Sequence, residues 1–242
     1  MVKGLGKYFS FGVKGNWVKT YFKYKGSEQF WDSDGEGEVA NKKKDAFLNF
    51  VKDAGFIAPN RTVGHDKYTK FDITNFGKVV FSLGFDSEAA WGLMLSNLVY
   101  APDFNWYVKN IPENSVVTPD QMKMLLAPFM ENDAKGLGKR NVVDAFKIIL
   151  ITTPLGSTLG LGNCDYVKKI TSTGNETYTL NSLTRTAWEY PEPLVILYSL
   201  YKFAEACDGY YQFTLTRLLN HDIDSDGVSP TEIFGIDRDK ME

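Results

Sequence analysis

The chain has little of what small catalytic and redox proteins are usually built around. Two cysteines, Cys164 and Cys207, occur in 242 residues. They stand without a CxxC partner, which excludes a disulfide framework and a cysteine-type zinc site, and they read as small apolar side chains in a reducing compartment. Histidine is as scarce: His65 and His221 are the only two. Neither has HExxH spacing nor lies near a GxSxG elbow, so both read as surface or capping residues. No apolar run approaches the roughly 18 residues needed to cross a bilayer. The opening Met1 to Gly6 leads into polar and aromatic residues, not the apolar core of a signal peptide. The expectation is a cytoplasmic protein with no membrane partner. Charge of one sign is also missing. The formal net charge is −3, so there is no global basic field for a polyanion, and nucleic-acid contact would need a local patch.

What is present is enough for a real core. Hydrophobic residues make up 43% of the chain, aromatics 14% and charged residues 24%, the composition of an ordinary folded protein. The length allows one large domain or two small ones. Residues 1–84 read as an aromatic-rich N-terminal unit and residues 85–242 as a helical unit, with a single continuous domain as the alternative. Between positions 7 and 31 the aromatics Tyr8, Phe9, Phe11, Trp17, Tyr21, Phe22, Tyr24, Phe30 and Trp31 alternate with Gly and Lys. That pattern predicts short strands or irregular packing segments.

Helical periodicity begins at Val39 to Ala54, followed by a strand-like Val79-Val80-Phe81 and a helix over 86–100. Thr118-Pro119-Asp120-Gln121 is a capping box with proline at the first helical position. It opens a helix to about Met130, and another is predicted from Lys139 to about Ile151. Candidate strands cover 166–172 and 176–184 around Thr173-Gly174-Asn175. Helices are predicted again after Pro193 and over 212–220. A second capping box, Ser229-Pro230-Thr231-Glu232, is closed by Gly235. Asp237 reads as the cap of a further helix, which suggests a piece of a longer chain.

Two stretches look chemical. Asp222, Asp224, Asp226 and Gly227 copy positions 1, 3, 5 and 6 of a calcium-binding loop, but position 12, where a bidentate Glu belongs, is Ile233. A solvated acidic turn is the competing reading, and no metal site is expected. The loop Gly156 to Gly162 lacks the order of a phosphate-binding loop and follows a helix instead of a strand, so it reads as a flexible connector. Nothing in the chain assembles into a catalytic centre or a cofactor site.

One larger constellation remains. Residues 118–186 read helix, helix, hairpin, the outline of a winged helix-turn-helix whose second helix enters the DNA major groove. The reading helix would present Lys139, Arg140, Asn141 and Lys147, with Val142, Val143, Phe146, Ile149 and Leu150 facing inward. The hairpin would add Lys168, Lys169 and Arg185. Arg and Asn are the types that read base edges, and Lys neutralises phosphates. Residues 39–83 are candidates for a second, degenerate unit. The expected fold class is therefore mixed α/β, helix-rich, with one or two winged-helix-like units and short β-hairpins. Winged helices also serve as protein-interaction scaffolds, so DNA contact and protein docking both stay open.

The stretch from Pro193 to Arg238, with NKKKDAFLNFVKDAGFI at 41–57 and FDSEAAWGLMLSNLVYAP at 85–102, resembles the C-terminal, accessory region of bacterial phosphoadenosine phosphosulfate (PAPS) reductase and sulfotransferase-family proteins. The resemblance implies a PAPS-reductase-like catalytic domain as partner, fused or separate, and an association with sulfur-transfer or nucleotide-activating chemistry. Some relatives sit in DNA sulfur-modification or phage-defence systems. The SGGxDS-type phosphate loop of that catalytic domain has no counterpart in these 242 residues, so the resemblance transfers no catalytic residue and no cofactor. The function expected is a non-catalytic accessory region that positions double-stranded DNA or a partner protein, with a plain interaction scaffold as the alternative.

Overall fold

A computed structural model describes residues 4–32, 41–59, 71–130, 133, 135–172, 174, 176–209, 214–219, 226–237 and 239. His65, His221, Asp222 and Asp224 lie outside the described residues, as does most of the helix expected after Asp237.

Of the short strands or irregular packing segments expected of the aromatic N-terminal stretch, residues 4–14 are irregular turns, while the rest is mainly helical and contains no strand. Helix α1 (Gly15–Lys23) buries Trp17, Val18, Tyr21 and Phe22. Their spacing of three and four residues is a helical stripe that local aromatic content obscures. Helix α2 (Glu28–Asp32) adds Phe30 and Trp31 to the same core. Tyr21 is the hub: its ring packs against Phe30, Trp31, Phe47, Phe56 and Phe81 at centroid distances of 5.1 to 6.3 Å. Edge-on pairs of this kind add about 0.5–1.5 kcal/mol each beyond the area they bury.

Helix α3 (Asn41–Asp53) precedes strand β1 (Ile57–Pro59), which pairs antiparallel with β2 (Phe71–Ile73). Helix α4 (Asn75–Leu83) follows. The order over 41–83 is thus helix, strand, strand, helix, with the paired strands between the helices and not after them. Val79-Val80-Phe81 lies in α4, not in a strand. The Thr74 side chain caps that helix by accepting from the Gly77 N–H at 2.9 Å, and Val80 is buried while its neighbour Val79 is exposed. A three-residue run of strand-favouring side chains is too short to override a cap.

Helices α5 (Glu88–Leu98) and α6 (Pro102–Asn110) lead to the short strand β3 (Val116–Val117). Helix α7 (Pro119–Leu126) opens on the expected capping box, with Thr118 and Gln121 satisfying each other's N–H groups. Helix α8 (Leu137–Thr152) turns Val142, Val143, Phe146, Ile149 and Leu150 inward as predicted. Strands β4 (Asn163–Ile170) and β5 (Glu176–Thr184) form the expected hairpin, registered from Asn163↔Thr184 to Ile170↔Glu176 with a bulge at Asp165/Tyr166. Strand β3 pairs with the far side of β5, so the sheet order is β3-β5-β4, all antiparallel. Helices α9 (Pro193–Ala206), α10 (Leu215–Leu219) and α11 (Pro230–Phe234) complete the order, and α11 is closed by Gly235 in the left-handed region.

Mixed α/β and helix-rich is therefore the class observed, with two small antiparallel sheets. One buried hydrophobic cluster takes in Tyr21, Phe47 and Phe56 from the first 84 residues and Trp91, Phe146 and Trp188 from the rest. The glycine-rich stretch after α8 is not a loose connector. Leu155, Leu159 and Leu161 are buried there, and a Cβ on Gly156 would lie 1.9 Å from the Leu150 carbonyl oxygen. The loop packs because its leucines need the core and its glycines permit the backbone to come that close.

Candidate functional site

The predicted cations divide between the two ends of α8. At its start, Asp133 accepts the Lys139 N–H at 2.8 Å, and the Lys139 ammonium lies 4.0 Å from the same carboxylate. The backbone N–H groups of Lys139 and Gly138 hold the Asp133 carboxyl below the usual carboxylate range. One turn on, Asp144 sits between Lys147 at 2.8 Å and Arg140 at 3.5 Å. The Arg140 side chain is 72% exposed, and Asn141 is half-buried. On the hairpin, Lys168 pairs with Glu176 at 2.5 Å, while Lys169 is exposed. The Lys168 ammonium, with the Tyr178 hydroxyl, keeps the Glu176 carboxyl low.

Glu176 shares a cleft with Thr152 at the far end of α8. At about 1.5 Å per residue, that end lies ~18 Å along the helix from Arg140. Lys139 with Arg140 and the hairpin lysine Lys168 therefore form groups toward opposite ends of α8, with Lys147 between them at ~8 Å along the axis from Thr152, and each of these four cations has a carboxylate beside it.

Arg185 belongs to neither group. It is buried, and its guanidinium donates to the carbonyls of Val108 at 2.6 Å and Ile111 at 3.0 Å, and to that of Glu232. Burial pulls the guanidinium below its ordinary value. Placed just after β5, this side chain clamps the end of α6 and helix α11 together, a structural task that leaves it no access to a phosphate.

The outer face of α8 is occupied. Beyond Arg140 no residue of the helix through Thr152 is exposed. The reason is the segment leading into α1. A Cβ on Gly12 would lie 2.5 Å from the Ala145 carbonyl oxygen, and one on Gly15 would lie 1.9 Å from that of Thr152. The Gly15 N–H donates to Thr152 Oγ1 at 3.1 Å. The signal in the sequence is the pair of glycines three residues apart, Gly12 and Gly15, which local rules treat only as punctuation.

The same N-terminal segment is pinned by carboxylates that sequence reasoning does not single out. Buried Asp103 accepts the N–H groups of Gly6 at 2.7 Å and Lys7 at 3.2 Å. Burial pushes its carboxyl up to about 6, against the pull of those two N–H donors. The Lys7 ammonium lies 2.8 Å from both oxygens of Asp53, which also accepts from the Tyr8 hydroxyl at 2.7 Å. Beside this cluster opens a cleft of about 470 Å³, whose lining includes Lys7, Lys52, Phe76, Asn97, Tyr198 and Lys202.

Among the described residues, no three metal-binding side chains gather, and no helix is long and apolar enough to cross a membrane. Of the calcium-like stretch, Asp226 is exposed and Ile233, at position 12, is buried in α11. Ser229 and Glu232 are used by the α11 capping box. The chain matches no family model, no curated protein and no solved structure.

Proposed function

We propose that this chain is a non-catalytic accessory module, built around a winged-helix-like unit, that docks a partner protein and does not read DNA. The winged-helix reading is supported by the order α6, β3, α7, α8, β4, β5 and by the sheet order β3-β5-β4, the arrangement that places a two-stranded wing beside the second helix of a helix-turn-helix. The observation that carries the functional reading is the cover on α8. A helix that enters a major groove needs a free face, and here Gly12 to Gly15 lie against that face from Ala145 to Thr152. The ion pairs of Lys139, Arg140, Lys147 and Lys168 point the same way, because a phosphate would have to compete with carboxylates already in place.

Apolar side chains are offered to solvent elsewhere. Helix α9 exposes Leu194, Leu197 and Tyr201 on one face, and β4 exposes Tyr166, Val167 and Ile170. Such stripes are the usual material of a protein contact. The partner in this proposal is the PAPS-reductase-like catalytic domain that the sequence resemblance implies, whether fused or separate.

Two measurements test it. Anisotropy of a labelled duplex at low salt is expected to show no binding by this chain. A photo-crosslinking residue at Leu197, in cells carrying the native system, is expected to capture a catalytic subunit of PAPS-reductase type. Salt-sensitive duplex binding that is lost in an Arg140→Ala/Lys147→Ala variant would instead restore the DNA reading.

A further inference from the structure

The outer edge of the β4–β5 hairpin is open. Strand β4 is the last strand of the sheet β3-β5-β4, and among the described residues its backbone pairs with β5 alone. Alternate residues of an edge strand turn both N–H and C=O away from the sheet, a row of groups ready to pair with another strand. Every residue from Asp165 to Ile170 is exposed, and Tyr166, Val167 and Ile170 among them are large and apolar. At the register shift it is β5 that carries the extra residue, Asn181, so β4 itself alternates regularly.

The charges on this edge are unmatched within the chain and symmetrically placed. Asp165, Val167 and Lys169 alternate onto one face of the strand. Among the described residues no cation lies beside Asp165, which accepts from the Asn181 amide at 3.2 Å, and no carboxylate lies beside Lys169. An acid thus stands two residues before Val167 and a base two residues after it.

Two copies of β4 related by a two-fold axis perpendicular to the sheet run antiparallel and keep each face continuous. With the axis at Val167, Asp165 of each copy opposes Lys169 of the other. Val167 meets its own counterpart, Tyr166 meets the aliphatic stem of Lys168, and Ile170 lies opposite Cys164. The lysines select this register. An axis at Lys168 or Lys169 would set like charges face to face, which is destabilising, and an axis at Tyr166 would set Asp165 against Val167.

From this self-complementary edge we infer that the chain forms a homodimer by antiparallel pairing of β4 with β4 of a second copy, registered at Val167, which joins the two three-stranded sheets into one. A short paired edge makes a small and reversible contact. The inference assigns the β4 stripe to self-association and leaves α9 to partner docking, so the outcome of crosslinking at Leu197 does not bear on it.

The test is sedimentation of the full chain from low micromolar to near-millimolar concentration, with hydrogen exchange of β4 read at both extremes. Expected are a monomer–dimer equilibrium and slower exchange of amides between Asp165 and Ile170 in the dimer. Asp165→Lys and Lys169→Asp each set like charges opposite one another on both sides of the axis. Each is expected to raise the dimer Kd about tenfold or more. An equimolar mixture of the two variants restores both opposite-charge pairs and is expected to recover about the parent affinity, which also shows that each variant is folded. A parent chain that stays monomeric throughout overturns the inference and leaves the edge to a foreign strand or to solvent. So does a dimer that either single variant leaves intact, a dimer that forms with β4 exchange unchanged, or a mixture that does not reassociate.

Discussion

The backbone N–H of Gly15 donates to the hydroxyl of Thr152 across 137 positions of sequence, and a Cβ at Gly15 would meet the Thr152 carbonyl oxygen at 1.9 Å. This contact holds the N-terminal segment against α8 from Ala145 to Thr152. Gly15→Ala is accordingly expected to force the segment away from the helix and to lower stability by about 1–3 kcal/mol, the usual cost of overpacking a close contact. Urea denaturation measures it, with Gly15→Ala compared against an alanine at exposed Asn16, where no such loss is expected.

Arg185 makes a second structural commitment. With its guanidinium shared among the carbonyls of Val108, Ile111 and Glu232, Arg185→Met leaves several buried acceptors unpaired and should cost about 3 kcal/mol or more. Arg185→Lys is expected to rescue only part of this, since an ammonium cannot fork to carbonyls on two elements as the guanidinium does. Denaturant midpoints of the two variants decide the point, and equal stability of wild type and Arg185→Met would show the clamp to be unimportant.

Asp103 predicts a pH dependence of defined sign. Its folded carboxyl is raised from 3.8 to about 6, first by burial. Between those values the folded chain holds a proton that the unfolded chain has released. The contribution of this residue to stability is therefore present at pH 4, falls as pH rises through about 6, and is level above it. The amount at stake is about 3 kcal/mol, at about 1.36 kcal/mol for each factor of ten in proton affinity. Asp103→Asn keeps an acceptor for Gly6 but does not titrate. The stability of Asp103→Asn relative to wild type should rise between pH 4 and pH 6, as read by denaturation at a series of pH values. A difference that stays flat with pH contradicts the assignment.

Cys164 should be slow to react. Burial pushes its thiol up to about 12, and the S–H donates to the Gly162 carbonyl at 3.4 Å. Since the thiolate is the nucleophile, iodoacetamide at pH 8 is expected to leave Cys164 unmodified in the native chain and to label it only after unfolding. Peptide mass mapping with and without denaturant checks this, and labelling at equal rates in both conditions would refute it.

Local signals are legible where both partners of an interaction lie close in sequence. The capping boxes at Thr118–Gln121 and Ser229–Glu232 need only a three-residue spacing, and both form as expected. The inward face of α8 and the pairing of β4 with β5 follow from periodicity and a turn in the same way. Reading fails where two periods compete over a short stretch. Trp17, Val18, Tyr21 and Phe22 are dense enough in aromatics to suggest strands or irregular segments, and Val79-Val80-Phe81 is rich enough in strand-favouring side chains to hide a helix whose start is set by Thr74.

The candidate site depends on distance in sequence. Lys139, Arg140, Lys147, Lys168 and Arg185 are recognisable as cations near a helix and a hairpin, yet charge type alone does not say what a cation faces. Arg185 proves to be inside, because carbonyls from residues 74 and 77 positions away and from α11 converge on it. The cleft with Lys52, Phe76, Tyr198 and Lys202 is unreadable for the same reason, its walls coming from helices scattered over most of the chain.

By itself, then, the sequence determined the helix-rich mixed class, the capped helix starts, the hairpin and the inward face of α8. These rest on hydrogen bonds and side-chain periods that act within a few residues. Only the tertiary structure decided which cations are buried, which face of α8 is covered and where a cleft opens. Those outcomes arise from close packing between segments from about fifty to well over a hundred residues apart, and at Gly15 the absence of a single Cβ lets one backbone lie on another.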